Sequence, residues 1–193
     1  FLLSVFLVWL KTYWAYKTSF SLGVSGTLQE FILIINPLPT AIILLSIALY
    51  FRGKLAYWLM VLINLIQSIW LFANMLYYRE FSDFLSLNII NSGGSVDNNL
   101  GKSIAGIISP FDFLVFLDII ILVLLLVFKR IKFDKEVVQK RFAALMTIFG
   151  IVLMLVGYGI SSKDRSGLLT RTFDNNYIVK YLGLNEYAAY NVF

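Results

Sequence analysis

The sequence predicts an all-α integral membrane domain with five transmembrane helices, its N-terminus inside, and a C-terminal helix lying at the outer interface. Three observations carry this prediction. First, 60% of the 193 residues are hydrophobic, 17% aromatic and 14% charged, where soluble domains carry roughly 45–50% apolar and about 25% charged residues. With a mean hydropathy of +0.82, neither a soluble globular domain nor a disordered chain fits. Second, the apolar residues fall into five runs that approach the length of a membrane span. Third, the basic residues gather in alternate links between those runs. The chain has no Cys and no His. Disulfides, thiol nucleophiles, Cys/His zinc sites and imidazole bases are thereby excluded.

A helix needs about 20 apolar residues to cross about 30 Å of hydrocarbon. The first span covers about residues 1–17, and only its first ten residues are free of charge. Those ten cover about half the membrane at about 1.5 Å per residue. Lys11, Tyr13, Trp14, Tyr16 and Lys17 follow, a mixture typical of an interfacial belt. The run opens in mid-stretch at Phe1, so further residues are expected upstream, and no signal-peptide pattern is visible.

The second span covers about residues 28–51. Thr27 and Glu30 have the spacing of a capping box. Pro37 and Pro39 remove two backbone donors and predict a kink that frees the carbonyls of Leu33 and Ile35, with a short surface helix before Pro37 followed by a short span as the competing reading. The third span, about 56–78, carries a polar stripe of Asn64, Gln67 and Asn74, with Ser68 beside it, which must face other helices rather than lipid.

The fourth span covers about 110–128. Ser109 reads as its N-cap, Pro110 as its first residue and Asp112 as N3. Asp118 falls about 12 Å further along the axis than Pro110. The fifth span, about 142–160, carries Gly150, Gly157 and Gly159 as candidate close-packing points.

The 52–54 link holds two basic residues and the 129–141 link six, together half of the sixteen in the chain. The 18–27 link holds none, and the 82–109 link holds Lys102 alone. The positive-inside rule places the two rich links in the cytoplasm and the tail from about Ser161 outside. Residues 161–193 read as an extracellular juxtamembrane linker. Within it Tyr177, Ile178, Tyr181 and Leu182 recur at helical spacing, and Gly183 suits a C-cap. The last residues carry no polar ending, as expected if a further domain follows.

Complete catalytic constellations are missing. Gly101-Lys102-Ser103 resembles the end of a phosphate-binding loop, but Val96 stands where the pattern requires Gly. Asp118 is a carboxylate deep in a membrane helix, and such groups face the bundle interior and a partner. Lys11 and the amides Asn64, Gln67 and Asn74 are its candidate network. Arg79 stands four residues before Asp83 and is expected to pair with it, or to meet a lipid phosphate with its guanidinium fork. Lys17, Arg79, Arg171 and Lys180 form an outer basic set at headgroup level. Nothing suggests nucleic acid.

Several segments resemble the membrane domain of lipoteichoic acid synthases. They are Lys11-Thr12-Tyr13, Phe20-Ser21-Leu22-Gly23, Phe81-Ser82-Asp83-Phe84-Leu85, Leu169-Thr170-Arg171-Thr172-Phe173-Asp174 and Tyr177-Ile178-Val179-Lys180-Tyr181-Leu182-Gly183. The Asn36-Pro37 break is similar too. The resemblance implies five transmembrane helices followed by an extracellular sulfatase-like domain with a Thr nucleophile and manganese. That domain would move glycerol phosphate from phosphatidylglycerol to a polymer on a glycolipid anchor. The resemblance carries no catalytic or metal residue onto this chain and no cofactor within it. It implies a multi-pass protein of a Gram-positive-type cell membrane, with the bilayer, phosphatidylglycerol, the glycolipid anchor and envelope-synthesis proteins as partners. A stand-alone membrane subunit, a lipid transporter and a scaffold are the alternatives.

Overall fold

A computed structural model describes residues 1–86, 106–128, 140–168 and 174–190, and these are all helix, turn or irregular chain. Helix α1 is Leu2–Thr18, α2 Thr27–Ile35, α3 Pro37–Ala48 and α4 Gly53–Phe81. A 3₁₀ segment, Pro110–Phe116, runs into α5, Leu117–Val127. Then come α6, Lys140–Asp164, α7, Asn175–Leu182, and α8, Leu184–Tyr190. Among the described residues four stretches are long and apolar enough to cross a membrane: Thr27–Ala48, Gly53–Phe81, Pro110–Val127 and Lys140–Asp164. Helix α1 has 17 residues, or about 26 Å at about 1.5 Å per residue.

Successive long helices alternate in direction. Contacts from Lys17 to Glu30, Arg79 to Asp112 and Gln29 to Asp164 bring the Thr18, Thr27, Phe81, Pro110 and Asp164 ends together. This end is called the tail end below.

Local rules explain most boundaries. Asn36 keeps helical dihedrals (φ −59°, ψ −25°), so α2 and α3 form one span broken at Pro37. The side-chain donor reaching the break is Trp9 Nε1, which donates to Ile34 O at 2.7 Å. The expected Ser109–Asp112 capping box forms, with Pro110 in the first turn. The expected Thr27–Glu30 box does not. Gly26 is the extended N-cap residue, Thr27 is already helical, and no side-chain cap bond forms. Glu30 instead takes Lys17 at 2.5 and 2.6 Å, since an ammonium partner outbids a neutral amide for a carboxylate.

Two apolar clusters form the core. One lies toward the far end and joins Val5, Val8, Leu45, Met60 and Ala143. The larger lies at the tail end, where Tyr16, Phe20, Leu33, Met75 and Phe84 surround Ile178, Tyr181 and Tyr187. Helix α6 packs against α3 and leaves most of its surface open, with Leu145 and Leu155 among its exposed residues. In water such a face would aggregate; in a bilayer it meets lipid, and apolar burial between helices gains little. Close approach and polar contacts must fix the packing instead.

Gly150 supplies that approach. A Cβ there would lie 2.7 Å from Ile43 Cγ1 and 3.2 Å from the Pro39 carbonyl. The adjacent Ser46 and Thr147 hydroxyls are 2.7 Å apart. Gly157 and Gly159 meet nothing within 4 Å, so only one of the three candidate glycines is a packing point. Gly150→Leu should part α3 from α6 and cost about 1–3 kcal/mol, the range for overpacking. Gly159→Ala should be neutral or slightly stabilising. Thermal unfolding of both variants in detergent checks the contrast.

Candidate functional site

Two polar constructions stand out, one inside the bundle and one where the tail meets it. In the first, Lys11 Nζ lies 2.5 Å from Asp118 Oδ2, 2.5 Å from Ser68 Oγ and 3.2 Å from the Asn64 carbonyl. The two charged side chains are 7% and 3% exposed. Ser68 also donates toward the Val115 carbonyl at 2.9 Å. One hydroxyl and one ion pair thus join α1, α4 and the 3₁₀–α5 segment. Three ammonium protons find three acceptors, as a buried lysine requires.

The polar stripe divides beyond this point. Asn64 and Ser68 serve the ion pair. Gln67 Oε1 accepts from Asn185 Nδ2 of α8 at 2.8 Å, and Asn74 Oδ1 accepts from the Leu85 amide at 3.0 Å. Gln67 and Asn74 therefore belong to other contacts than Asp118. The sequence pointed to Lys11, Asn64 and Asp118 but not to Ser68 as the hub.

The second construction is the seat of the tail. Helices α7 and α8 do not lie on the bundle; they are set into it. Ile178, Val179, Lys180, Tyr181, Leu182, Leu184 and Tyr187 are all buried. Asn36 Nδ2 donates to the Lys180 carbonyl at 3.0 Å, and Tyr16 Oη accepts from the Leu184 amide at 2.8 Å. Tyr78 Oη donates to Asn176 Oδ1 at 2.9 Å. Ser161 Oγ donates to the Tyr181 carbonyl at 3.1 Å. Asn185 reaches Gln67, fourteen residues from either end of α4. The tail thus descends to the middle of that helix. Irregular backbone at such depth is tolerated only where protein buries it. The expected tail helix forms as α7, but protein covers most of it, and Tyr177 is left 38% exposed.

Gly183 makes the descent possible. It caps α7, as expected, with its amide donating to the Val179 carbonyl at 2.9 Å. Its φ of 97° and ψ of 162° fall where side chains are not accommodated. A Cβ there would sit 3.3 Å from the Asn36 carbonyl oxygen.

The outer basic set is dispersed by its partners. Lys17 is bound to Glu30, both side chains 40% exposed. Arg79 does not pair with Asp83. Its two terminal nitrogens meet the Asp112 carboxylate at 2.8 Å each, and Nη1 also donates to the Ile107 carbonyl at 2.6 Å. The fork expected for a phosphate is filled by a carboxylate. Asp83 Oδ1 instead accepts from the Phe84 amide and Asn175 Nδ2.

Lys180 is 4% exposed. Its ammonium donates to the Gly23 carbonyl at 3.1 Å and lies over the Tyr177 and Tyr181 rings. Burial holds it below the ordinary lysine range. Tyr181, pushed up to about 12 by burial and by its bond to Asp164, stays a donor at neutral pH. Arg171, Lys102 and the 129–139 part of the inner basic patch lie outside the described residues.

Glu186 was not singled out by the sequence. Burial pushes its carboxyl up to about 8. A raised acid binds its proton more tightly folded than unfolded, so stability falls as pH rises from about 4.5 to about 8 and levels beyond. Glu186→Gln should flatten that decline, read as melting temperatures between pH 5 and pH 8.

Among the described residues no three carboxylates converge, and the sequence has no His or Cys.

Comparison with known proteins adds the family. The family model described as "Lipoteichoic acid synthase N-terminal domain" matches residues 1–193. Over 191 residues the chain is 45% identical to Lipoteichoic acid synthase 1 of Bacillus subtilis, covering 99% of this chain and 30% of that protein. It is 40% identical to the Lipoteichoic acid synthase of Staphylococcus saprophyticus, covering 99% of this chain and 29% of that one. It is 37% identical to that of Staphylococcus aureus strain USA300, with the same coverage of 99% and 29%. The chain thus spans less than a third of the length of these relatives. No solved structure matches it.

Proposed function

The chain belongs to the lipoteichoic acid synthase N-terminal domain family, and from that premise we propose that it is the membrane domain of a phosphoglycerol transferase. In this reading it anchors and positions an extracellular catalytic domain. That domain moves glycerol phosphate from phosphatidylglycerol to a glycolipid-anchored polymer, with manganese held outside this chain. The observation that carries the proposal is the buried tail. A helix lying on lipid would let whatever follows it drift in height and angle. A tail held by Asn36, Tyr16, Tyr78 and Gln67 gives a following domain a fixed departure point. Positioning demands rigidity at that joint.

The same reading takes α1 as a fifth span completed by interfacial residues, with its N-terminus in the cytoplasm and the tail end outside. The asymmetry of basic links supports that orientation. Single cysteines placed at residues 53 and 166 test it, because the chain has none of its own. Only the second should react with an impermeant thiol reagent on whole cells.

In this reading the outer basic set lies at headgroup level, with Lys17 and Arg79 paired to carboxylates and Lys180 held on the Gly23 carbonyl rather than offering free forks to lipid. The test of the proposal is the full-length protein in membranes, supplied with manganese and headgroup-labelled phosphatidylglycerol. Wild type should release label and build polymer. Gly183→Val should reach the membrane in normal amount yet build polymer at least tenfold more slowly. Equal synthesis by that variant would refute the positioning role.

A further inference from the structure

The 3₁₀ segment Pro110–Phe116 has seven residues. Runs longer than three or four are uncommon, because side chains eclipse and hydrogen bonds align poorly. Nothing in the sequence forbids an α-helix there. Pro110 stands in the first turn, where no donor is missed, and neither Gly nor Pro occurs from Phe111 to Val127. The tighter winding follows from its partners instead. Asp112, Val115 and Asp118 are buried, while Phe111, Phe113, Leu114 and Leu117 between them are exposed. Burial recurs every third residue up to Asp118, then after four residues at Leu122. The period changes from that of a 3₁₀ helix to that of an α-helix at the Asp118 carboxylate.

Both carboxylates meet one face of α4. Asp112 takes the Arg79 fork, and Asp118 lies with Lys11 against Ser68. Ser68 and Arg79 are eleven residues apart, about three α-turns, and so share that face. An α-helix opposite could not serve both. At about 100° per residue, six residues leave the Asp112 side chain about 120° away from that of Asp118. At three residues per turn the two coincide. Were α5 continued backwards as an α-helix, with Asp118 fixed on Lys11, Leu114 and Phe111 would turn to the bundle, four and seven residues before it. Asp112 would leave Arg79, and the segment would shorten by about 3 Å as its rise falls from about 2.0 to about 1.5 Å per residue. The Ser109–Asp112 box would persist, since it needs only the first turn.

We propose that Pro110–Phe116 is a two-state strut, held as a 3₁₀ helix while Arg79 clamps Asp112 and Lys11 clamps Asp118, and rewinding into α5 when the Arg79 clamp opens. Such an element couples two places because both bias its equilibrium. Here they are the ion pair inside the bundle and the tail end of α4. Opening frees Arg79 from Asp112 and from the Ile107 carbonyl, and draws the chain before Pro110 toward the middle of the bundle. Arg79 is 35% exposed and Asp112 3%, so the arginine is the half of the clamp that can be reached from the surface. The inference goes beyond the anchoring role and does not rest on it.

Spin labels on single cysteines at positions 113 and 114 report the winding, in a chain with no cysteines of its own. The two positions lie at nearly the same depth. Both face outward in the 3₁₀ form, and only 113 does in the α form. With the full chain in nanodiscs, oxygen should collide equally often with the two labels. Arg79→Gln should lower the collision rate at 114 at least threefold and leave that at 113 unchanged. Exchanging two neighbours, Phe111→Asp with Asp112→Phe, moves the carboxylate to the place where an α-helix offers it to Arg79. That variant keeps every charge and should show the same fall at 114. Equal collision rates at 113 and 114 in either variant, once folded, would overturn the two-state strut. Failure of the exchanged variant to fold would overturn its α form. A label at 114 already protected without these substitutions would overturn the held 3₁₀ form, and that measurement needs neither variant.

Discussion

Replacing Asp118 with Ala should cost roughly 3–5 kcal/mol of stability, the range for breaking a buried ion pair from one side. The cause is what remains. The Lys11 amine would be left with Ser68 and the Asn64 carbonyl as its hydrogen-bond neighbours, at a site 7% exposed. Lys11→Ala should cost a comparable amount, because Asp118 would then face Ser68 Oγ alone, at 3.4 Å. The double variant Lys11→Met with Asp118→Leu removes both charges together. It should recover most of the loss, since apolar replacements of buried pairs are often neutral. Melting in detergent over the four combinations gives the coupling directly. Single-variant costs below about 1 kcal/mol would mean that the pair behaves as an exposed one.

The second large effect is expected at Gly183. A valine there must adopt a backbone conformation reserved for glycine, at about 1–3 kcal/mol. It must also push against the Asn36 carbonyl 3.3 Å from its Cβ, at a further cost of about 1–3 kcal/mol. The chain has no other way to turn from α7 into α8 while both stay buried, so the tail should leave its seat. Val179 is 0% exposed, and a cysteine at that position serves as reporter in a chain without cysteines. Maleimide labelling at position 179 should be at least tenfold faster in the Gly183→Val background. Unchanged labelling would show that the seat tolerates a side chain.

Features governed by neighbours in sequence were legible. Pro37 broke the second span where a missing donor requires it, Ser109, Pro110 and Asp112 formed their cap, and Gly183 ended α7. Asp118 was found because a carboxylate in an apolar run has few destinies. What escaped depended on distant partners. The stripe of α4 told that Gln67 and Asn74 face protein, but not that one meets Asn185 and the other Leu85. Arg79 had a carboxylate four residues away and chose Asp112, 33 residues away, whose cap geometry already presented both oxygens. Lys180 looked like the wet side of an amphipathic helix. Periodicity cannot tell that the Gly23 carbonyl and two tyrosine rings await it. The three glycines of α6 were equal by composition, and only the position of Ile43 and Pro39 singles out Gly150.

The seat of the tail also has a history in time. Tyr16 and the Leu184 amide that it receives are separated by 168 residues. At roughly 5–20 residues per second, a ribosome needs about 10 to 30 seconds to cover that distance. Once α4 is complete at Phe81, about 100 residues or roughly 5 to 20 seconds remain, during which the hollow formed by α1, α2 and α4 stands in the bilayer without the segment that fills it. Its polar rim, Tyr16, Asn36, Gln67 and Tyr78, is the last part of the fold to be satisfied. A nascent chain stalled before residue 184 should therefore carry an open hollow, and synthesis of α8 closes it.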